Sequence, residues 1–324
     1  MLQQTTVAAV VPYFHRFLTA FPTVQALAAA DEQAVLKLWE GLGYYRRARH
    51  LHATAKRVVA DHGGVFPDDS AAWAAFPGVG RYILGAVLSQ AFERKLPIVE
   101  ANSLRVLARL FGYRGDPREG QGKAWVWEAA AAVLPDRRVG DFNQAVMELG
   151  ATVCTPAAPR CGLCPLAGIC VANREGLQSV IPPAKKPPTV IESREVAVVI
   201  RRRDQVLLCL RPPTAIRWAN MWEFPHAETA AGETVDDAAV RIAKELTGLA
   251  VSVSEELLTV KHGVTRFAIT MTALEAASAR GTPRSDFYAE CRWVRPAELS
   301  SFPTSTPQRK LFEAVATGRQ KRLF

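Results

Sequence analysis

No uncharged apolar run in this 324-residue sequence approaches the length of a bilayer span, so a transmembrane helix is excluded. The opening Met1-Leu2-Gln3-Gln4-Thr5 lacks a basic start and a small-residue cleavage site, and no secretory signal is read there. Cysteine is scarce: there are six, and four of them crowd between residues 154 and 170. That clustering excludes a disulfide framework, which would spread its cysteines along a small secreted domain. The other two, Cys209 and Cys291, lie in apolar, strand-like contexts and read as buried free thiols, and a reducing compartment fits all six. These absences predict a soluble cytoplasmic protein.

Acidic residues are outnumbered, 31 against 40 basic ones, giving a net charge of +9 and a pI near 9.4. An anionic partner follows, with nucleic acid first and a phosphorylated small molecule or an anionic membrane surface behind it. The length suits about two domains.

The first half reads as helices, without internal repeats. Apolar residues recur at helical spacing from Val7 to Phe21, where Pro12 should bend or start the helix. Asp31 is a plausible N-cap for the helix through Trp39, with Gly41 as its stop. The run Gly41-Leu42-Gly43-Tyr44-Tyr45-Arg46-Arg47-Ala48-Arg49 suits a loop that offers aromatic faces and cations to a nucleic acid. A basic helix then runs to His62 and ends at Gly63-Gly64; His50, His52 and His62 have no metal-like partners and are expected at the surface.

The stretch from Phe76 to Asn102 organises this half. Pro77, Gly78 and Gly80 mark a tight turn between two helices, and a helix starting straight after it presents unpaired N–H groups that suit a phosphate. Further helices are expected over residues 103–111, 123–134 and 142–153.

Cys154, Cys161, Cys164 and Cys170 follow the spacing C-x6-C-x2-C-x5-C. Four thiolates in a compact loop should hold a soft metal centre, either zinc or an iron–sulfur cluster; zinc sites usually pair their ligands as two short clips, and here only one pair is close. Arg160 places a cation on this loop where a DNA phosphate could meet it. Beyond it, Ile181-Pro182-Pro183-Ala184-Lys185-Lys186-Pro187-Pro188 is a stiff, basic linker. The period then switches to strands at residues 195–201, 205–210, 251–260, 266–274 and 291–294, with one helix from Val235 to Leu246 capped by Thr234: a separate α+β domain.

Met1-Leu2-Gln3-Gln4-Thr5, Gly41-Leu42-Gly43-Tyr44-Tyr45, Pro77-Gly78-Val79-Gly80-Arg81-Tyr82, Asn102 and the cysteine loop together resemble the adenine DNA glycosylases of the MutY type, in the helix–hairpin–helix superfamily. The resemblance covers almost the whole chain. It implies an all-α helix–hairpin–helix glycosylase domain over residues 1–173, with a [4Fe–4S] loop at 154–170. A linker at 174–193 and an α+β Nudix-like domain that recognises 8-oxoguanine, over 194–324, would follow. The implied reaction is hydrolysis of the N-glycosidic bond of adenine mispaired with 8-oxoguanine or guanine in duplex DNA, by a bacterial monomer associated with the nucleoid when on DNA. The base must be flipped out; by similarity Gln4 and Tyr44 are the wedges, Thr5 and Leu42 lie near the oxidised guanine, and Gly78 and Gly80 grip the backbone. The departing adenine needs a proton from a general acid, and the oxocarbenium-like sugar needs a nearby anion.

The sequence departs from the family pattern. The stabilising aspartate falls at Glu100, and Ala101 replaces the usual glycine while Asn102 is kept. The family's acid glutamate lies two positions before the Met of Met-Leu-Gln-Gln-Thr, so it would precede Met1, and it is expected to be missing together with a leading helical segment. Related lyases carry a lysine where this chain has Tyr82, which cannot form a Schiff base, so a monofunctional site is expected with Tyr82 and Asn102 assisting. In the second domain, Trp222-Glu223-Phe224-Pro225, Glu233, Arg241, Glu245, Gly248 and Leu249 align with a Nudix box, but its glycine has become Ala227 and two of its glutamates Ile242 and Leu246. Magnesium-dependent hydrolysis should therefore be lost. His262-Gly263-Val264-Thr265-Arg266 falls where the family has a Phe-Ser-His recognition loop, which makes Thr265 and Arg266 candidate lesion contacts against the alternative of a plain hairpin turn. Two rival readings stand beside this one: a lesion-binding protein without catalysis, and an active Nudix hydrolase with a helical appendage.

Overall fold

The computed structural model describes residues 1–185 and 189–318, and of 278–280 only the backbone. Lys186 to Pro188 of the expected linker lie outside the described residues.

Four helices open the chain: α1 (Val7–Ala20), α2 (Val24–Ala29), α3 (Glu32–Trp39) and α4 (Arg46–His62). Thr6, Thr23 and Asp31 side chains accept from the first-turn N–H groups of α1, α2 and α3, and Gly63 closes α4 in the left-handed conformation. Pro12 lies inside α1. Val35, Leu36, Trp39, Leu42, Tyr45 and Ala48 fill the core among these helices. His52, expected at the surface, is buried with Nε2 3.1 Å from the Ala30 carbonyl, because α4 turns that face onto α2.

The next run is all-helical: α5 (Ser70–Ala74), α6 (Arg81–Phe92), α7 (Ala101–Leu110), α8 (Gly120–Ala132), α9 (Val139–Thr152) and α10 (Val171–Glu175). Leu107, Val126, Trp127 and Ala130 join α7 to α8, beside Val99. Asn143 of α9 donates to Ser89 Oγ at 3.0 Å and to the Leu96 carbonyl at 2.9 Å, which ties α9 to α6 and to the strand-like segment ahead of α7.

The remaining strands are β1 (Ile191–Arg202), β2 (Gln205–Leu210), β3 (Trp222–Glu223), β4 (His226–Glu228), β5 (Ala250–Val264), β6 (Phe267–Arg280) and β7 (Glu290–Val294), with α11 (Val235–Thr247) between β4 and β5 and α12 (Thr306–Thr317) after β7. They form one mixed sheet in the order β3-β2-β1-β6-β5, with β4 on β1 and β7 on β2; β1 and β6 are parallel. Alternate residues of β1 and β2 feed two cores. Ala197, Val199, Val206 and Leu208 meet Leu311, Phe312 and Val315 of α12, while Val196, Val198, Ile200 and Leu207 meet Ala238, Ala239, Ile242 and Ala243 of α11. Both faces of β1 are covered, hence its unbroken apolar centre. The short strands β3 and β4 and the helix α12 were not anticipated, because two or three residues carry no period and α12 is interrupted by polar side chains.

The chain forms two compact units. One takes residues 1–64 together with the described residues beyond 188, and the other those from Val65 to Lys185. This grouping differs from the division at residue 173. Helices α1 to α4 pack with the sheet: Met221 sits in their core, Gln33 Nε2 donates to the Asn220 carbonyl at 2.9 Å, and Trp222 Nε1 donates to Gln33 Oε1 at 2.9 Å. Glu40 receives Lys37 at 2.7 Å and also pairs with Arg309 of α12. A buried carboxylate with two cations joins elements far apart in sequence, a pairing no local pattern discloses.

Candidate active site and nucleic-acid interface

In the second unit the turn between α5 and α6 has the geometry expected of it. Phe76 is buried against Trp73, and Gly78 takes φ 74°, the left-handed region where a side chain is strained. Gly80 is the N-cap of α6 without a side-chain partner, and a Cβ built on it would meet nothing within 4 Å. The first turn of α6 thus has no side-chain cap on its N–H groups, the state in which a helix N-terminus can take an anion.

Glu100 is the N-cap of α7. Its Oε2 accepts the Asn102 N–H and its Oε1 the Ser103 N–H, both at 2.8 Å, while Ser103 Oγ accepts the Glu100 N–H at 2.9 Å. The helix dipole and two amide donors hold the carboxylate at this end. Tyr82 is half-buried; burial and then the Glu100 charge raise its phenol, so it stays protonated and able to donate. Asn102 Oδ1 accepts from Arg105 Nη2 at 2.9 Å, and α9 passes so close that a Cβ on Gly150 would come within 2.6 Å of Asn102 Cβ. Glu100 also lines a cavity of about 780 Å³ with Leu104, Val126, Trp127, Lys123 and Lys185, in which it is the one carboxylate among the described lining residues.

Cys154, Cys161, Cys164 and Cys170 line a single small cavity, with Arg109 and Gln178 beside them. Arg109 Nη1 donates to Cys154 Sγ at 3.4 Å and Gln178 Nε2 to Cys161 Sγ at 3.7 Å. Arg109 also holds the carbonyls of Thr155, Pro156, Gln178 and Ile181 at 2.7–2.9 Å. Among the described residues no group of three or more His, Cys, Asp or Glu could hold a single metal ion. Four thiols round one small cavity, two of them with N–H donors on sulfur, are the donor set that a soft metal centre takes. Arg160 is exposed and folds back onto the Thr152 carbonyl.

The remaining candidates lie in the other unit. Gln4 and Tyr44 are exposed, and both have positive φ, 59° and 50°, an uncommon conformation found where a backbone is held for display. Arg47 assembles them. Its Nη1 donates to the Met1 carbonyl at 2.6 Å and to that of Gln3, and its Nη2 to Thr5 Oγ1 and the Gly43 carbonyl, both at 3.2 Å. The expectation that Arg47 offers its charge to a nucleic acid is therefore corrected: its guanidinium is turned inward, over the rings of Trp39 and Tyr44. Leu42 is buried in the helical core and reaches this cluster through its carbonyl.

Thr265 and Arg266 form the two-residue turn of the β5–β6 hairpin, both exposed, with Val264 opposite Phe267 and Thr265 at φ 56°. In the degenerate Nudix box, Arg241 pairs with Glu233 at 2.7 Å and with Glu245 at 3.1 Å, Ile242 is fully buried in the core, and Leu246 packs against the same core. Position 242 thus faces hydrocarbon, and the one glutamate kept from the second half of the box is already paired.

Sequence reasoning missed Arg105 and Arg109, which are only 8 % and 3 % exposed. Their signal was available: two arginines spaced i, i+4 on the helix capped by Glu100, with no acidic residue three or four positions from either.

Residues 1–130 match the model of the HhH-GPD superfamily base excision DNA repair proteins, and residues 195–314 that of the NUDIX domain. The chain is 36% identical over 229 residues to an adenine DNA glycosylase of Buchnera aphidicola subsp. Schizaphis graminum, a match covering 71% of this chain and 66% of that protein. It is 30% identical over 368 residues to the adenine DNA glycosylase of Rattus norvegicus, covering 99% of this chain and 71% of that one. With the Homo sapiens adenine DNA glycosylase the identity is 31% over 370 residues, with 99% and 67% covered. With a helix–hairpin–helix domain, a Nudix-like domain and relatives matched along nearly its whole length, the chain belongs to the adenine DNA glycosylase family.

Proposed function

We propose that this protein is a base excision repair glycosylase that hydrolyses the N-glycosidic bond of adenine opposite 8-oxoguanine, or guanine, in duplex DNA. The observation that carries this reading is the Glu100 carboxylate, fixed at the start of α7 beside a protonated Tyr82 and at the edge of a large cavity. A fixed anion there stabilises the positive charge that builds on the sugar as the bond to adenine lengthens. Tyr82 and Asn102 orient the reacting groups. Tyr82 offers a phenol where a lyase needs an amine, which supports a monofunctional reaction. Gln4 and Tyr44, presented from strained positions, act as the wedges that fill the gap left by the extruded base, with Thr5 beside the opposing lesion and Gly78 and Gly80 on a phosphate. Thr265 and Arg266 make a second contact with 8-oxoguanine, a reading supported by their exposure at a hairpin tip. The net charge of +9 supports the affinity for DNA.

Cys154, Cys161, Cys164 and Cys170 would hold a [4Fe–4S] cluster, which when bound supplies the free energy that orders their loop. The chain's own part is to orient that loop through Arg109 and to keep Arg160 on its exposed side.

A second reading, binding without excision, is favoured by one observation: Glu100 is the lone carboxylate among the described residues of its cavity, whereas the reaction asks for an acid as well as an anion. The experiment is incubation with duplexes carrying adenine opposite 8-oxoguanine, guanine or thymine. Alkali-labile abasic sites opposite 8-oxoguanine support the glycosylase. Tight, salt-sensitive binding with no abasic product supports the second reading, and covalent trapping by borohydride would refute the monofunctional assignment.

A further inference from the structure

Cys209 and Cys291 lie outside every site described above. They are direct partners across the antiparallel β2–β7 pair, and their Sγ atoms stand 3.4 Å apart although 82 positions separate them in sequence. Facing residues of an antiparallel pair have Cα atoms about 4.5–5.5 Å apart, inside the range of about 4.4–6.8 Å that a disulfide bridges. The two thiols differ in surroundings. Cys209 is fully buried between β7 and the Glu223 position of β3, whereas Cys291 is half-buried on β7, which pairs with β2 alone among the described strands. Burial pushes the Cys209 thiol up, and the hydrogen bond it shares with Cys291 holds the Cys291 thiol below its ordinary value. Cys209 keeps its proton while Cys291, the one a small oxidant reaches, carries the thiolate character.

We propose that Cys209 and Cys291 form a peroxide-responsive dithiol–disulfide couple, with Cys291 oxidised first and Cys209 resolving it. The Cys291 thiolate attacks the terminal oxygen of a hydroperoxide, the O–O bond breaks, and the products are Cys291 sulfenic acid and an alkoxide or hydroxide. The Cys209 sulfur then attacks the sulfenic sulfur, its proton leaves with the hydroxyl as water, and the S–S bond forms; one hydroperoxide is reduced by two electrons for each disulfide made. The bond staples β7 to β2 beside the core under α11.

The test is hydrogen peroxide titration of the full chain, blocking of free thiols under denaturing conditions, and peptide mass mapping. The expected result is a 209–291 cross-linked peptide two hydrogens lighter than the two thiol peptides and reversed by dithiothreitol. In Cys209→Ser the cross-link is lost, and dimedone labelling of Cys291 rises from trace to near-stoichiometric. Two results overturn the proposal in the unmodified chain: both thiols still free at a peroxide dose that oxidises glutathione in the same tube, or Cys291 driven to sulfinic acid while Cys209 stays reduced. A link from Cys209 to any cysteine of the 154–170 loop overturns it as well. The mapping decides without a variant, so a failure of Cys209→Ser to fold leaves the test intact.

Discussion

Arg105 Nη2 donates to Asn102 Oδ1 at 2.9 Å while Nε of the same guanidinium donates to the Cys154 carbonyl at 2.7 Å. Two further bonds, to the carbonyls of Gly150 at 2.8 Å and Ala101 at 3.3 Å, complete its coordination. One side chain thus joins the candidate catalytic turn, α9 and the cysteine loop. Replacing it with lysine, which lacks the planar fork, leaves buried acceptors unpaired and should cost about 2–3 kcal/mol of stability. Urea denaturation measures this, and a midpoint unchanged in Arg105→Lys would refute the role.

Gly150→Ala tests the same corner from the other side. The added methyl would fall 2.6 Å from Asn102 Cβ and 2.8 Å from the Asn102 carbonyl oxygen, so α9 or α7 must shift. The expected cost is about 1–3 kcal/mol. Because the shift falls on Asn102, base release should fall by more than the stability loss explains, as single-turnover assays would register.

Glu100 has a capping role and a proposed catalytic one, and substitutions separate them. Glu100→Gln keeps an oxygen for the α7 N–H groups but no charge; stability should change by less than about 1 kcal/mol while excision falls at least about 100-fold. Glu100→Asp keeps both the cap and the charge and should retain activity. Equal excision by all three proteins would remove Glu100 from the mechanism.

Tyr44→Ala should weaken binding to a duplex with adenine opposite 8-oxoguanine by about 1–3 kcal/mol, the worth of a stacking contact, and leave the salt dependence of binding unchanged. Arg47→Ala should weaken the same binding without removing a contact to DNA, because it releases Gln3, Thr5 and Gly43 together. Anisotropy titrations at several salt concentrations distinguish the two, and a reduced salt slope in Arg47→Ala would show that the guanidinium meets phosphate after all.

His262 is held at about 4, below its ordinary 6.5, by burial first and then by the charges of His226, Lys310 and Arg217. The unfolded chain takes up this proton near 6.5 and the folded one does not until about 4. The contribution of His262 to the stability of this unit is therefore lost as pH falls through that window. His226 has the opposite sign. Burial lowers it, but the Glu223 charge and hydrogen bond and then Glu195 outweigh burial, so its contribution is full below 6.5 and lost as pH rises through its raised folded value. Urea midpoints should drop between about pH 7 and pH 5, and His262→Gln should flatten that drop.

The longer helices and strands, the turn at Gly78 and Gly80 and the grouping of four thiols were legible in the sequence, because each rests on neighbours within a few residues: a period, a left-handed φ at Gly78 that glycine accepts without strain, a short spacing of cysteines. The damaged Nudix box was legible for the same reason. That Glu100 caps α7 was not, because the helix begins two residues earlier than its apolar period suggests. Tertiary structure alone decided that Arg47 turns inward to hold Met1–Thr5 against the 42–43 loop, that Arg105 links Asn102 to Cys154, that α1 to α4 pack with the sheet, and that Cys209 meets Cys291. These are pairings over tens to hundreds of residues between polar groups whose burial is repaid only by a partner from another element. An arginine or a cysteine in sequence gives no sign of where that partner will come from.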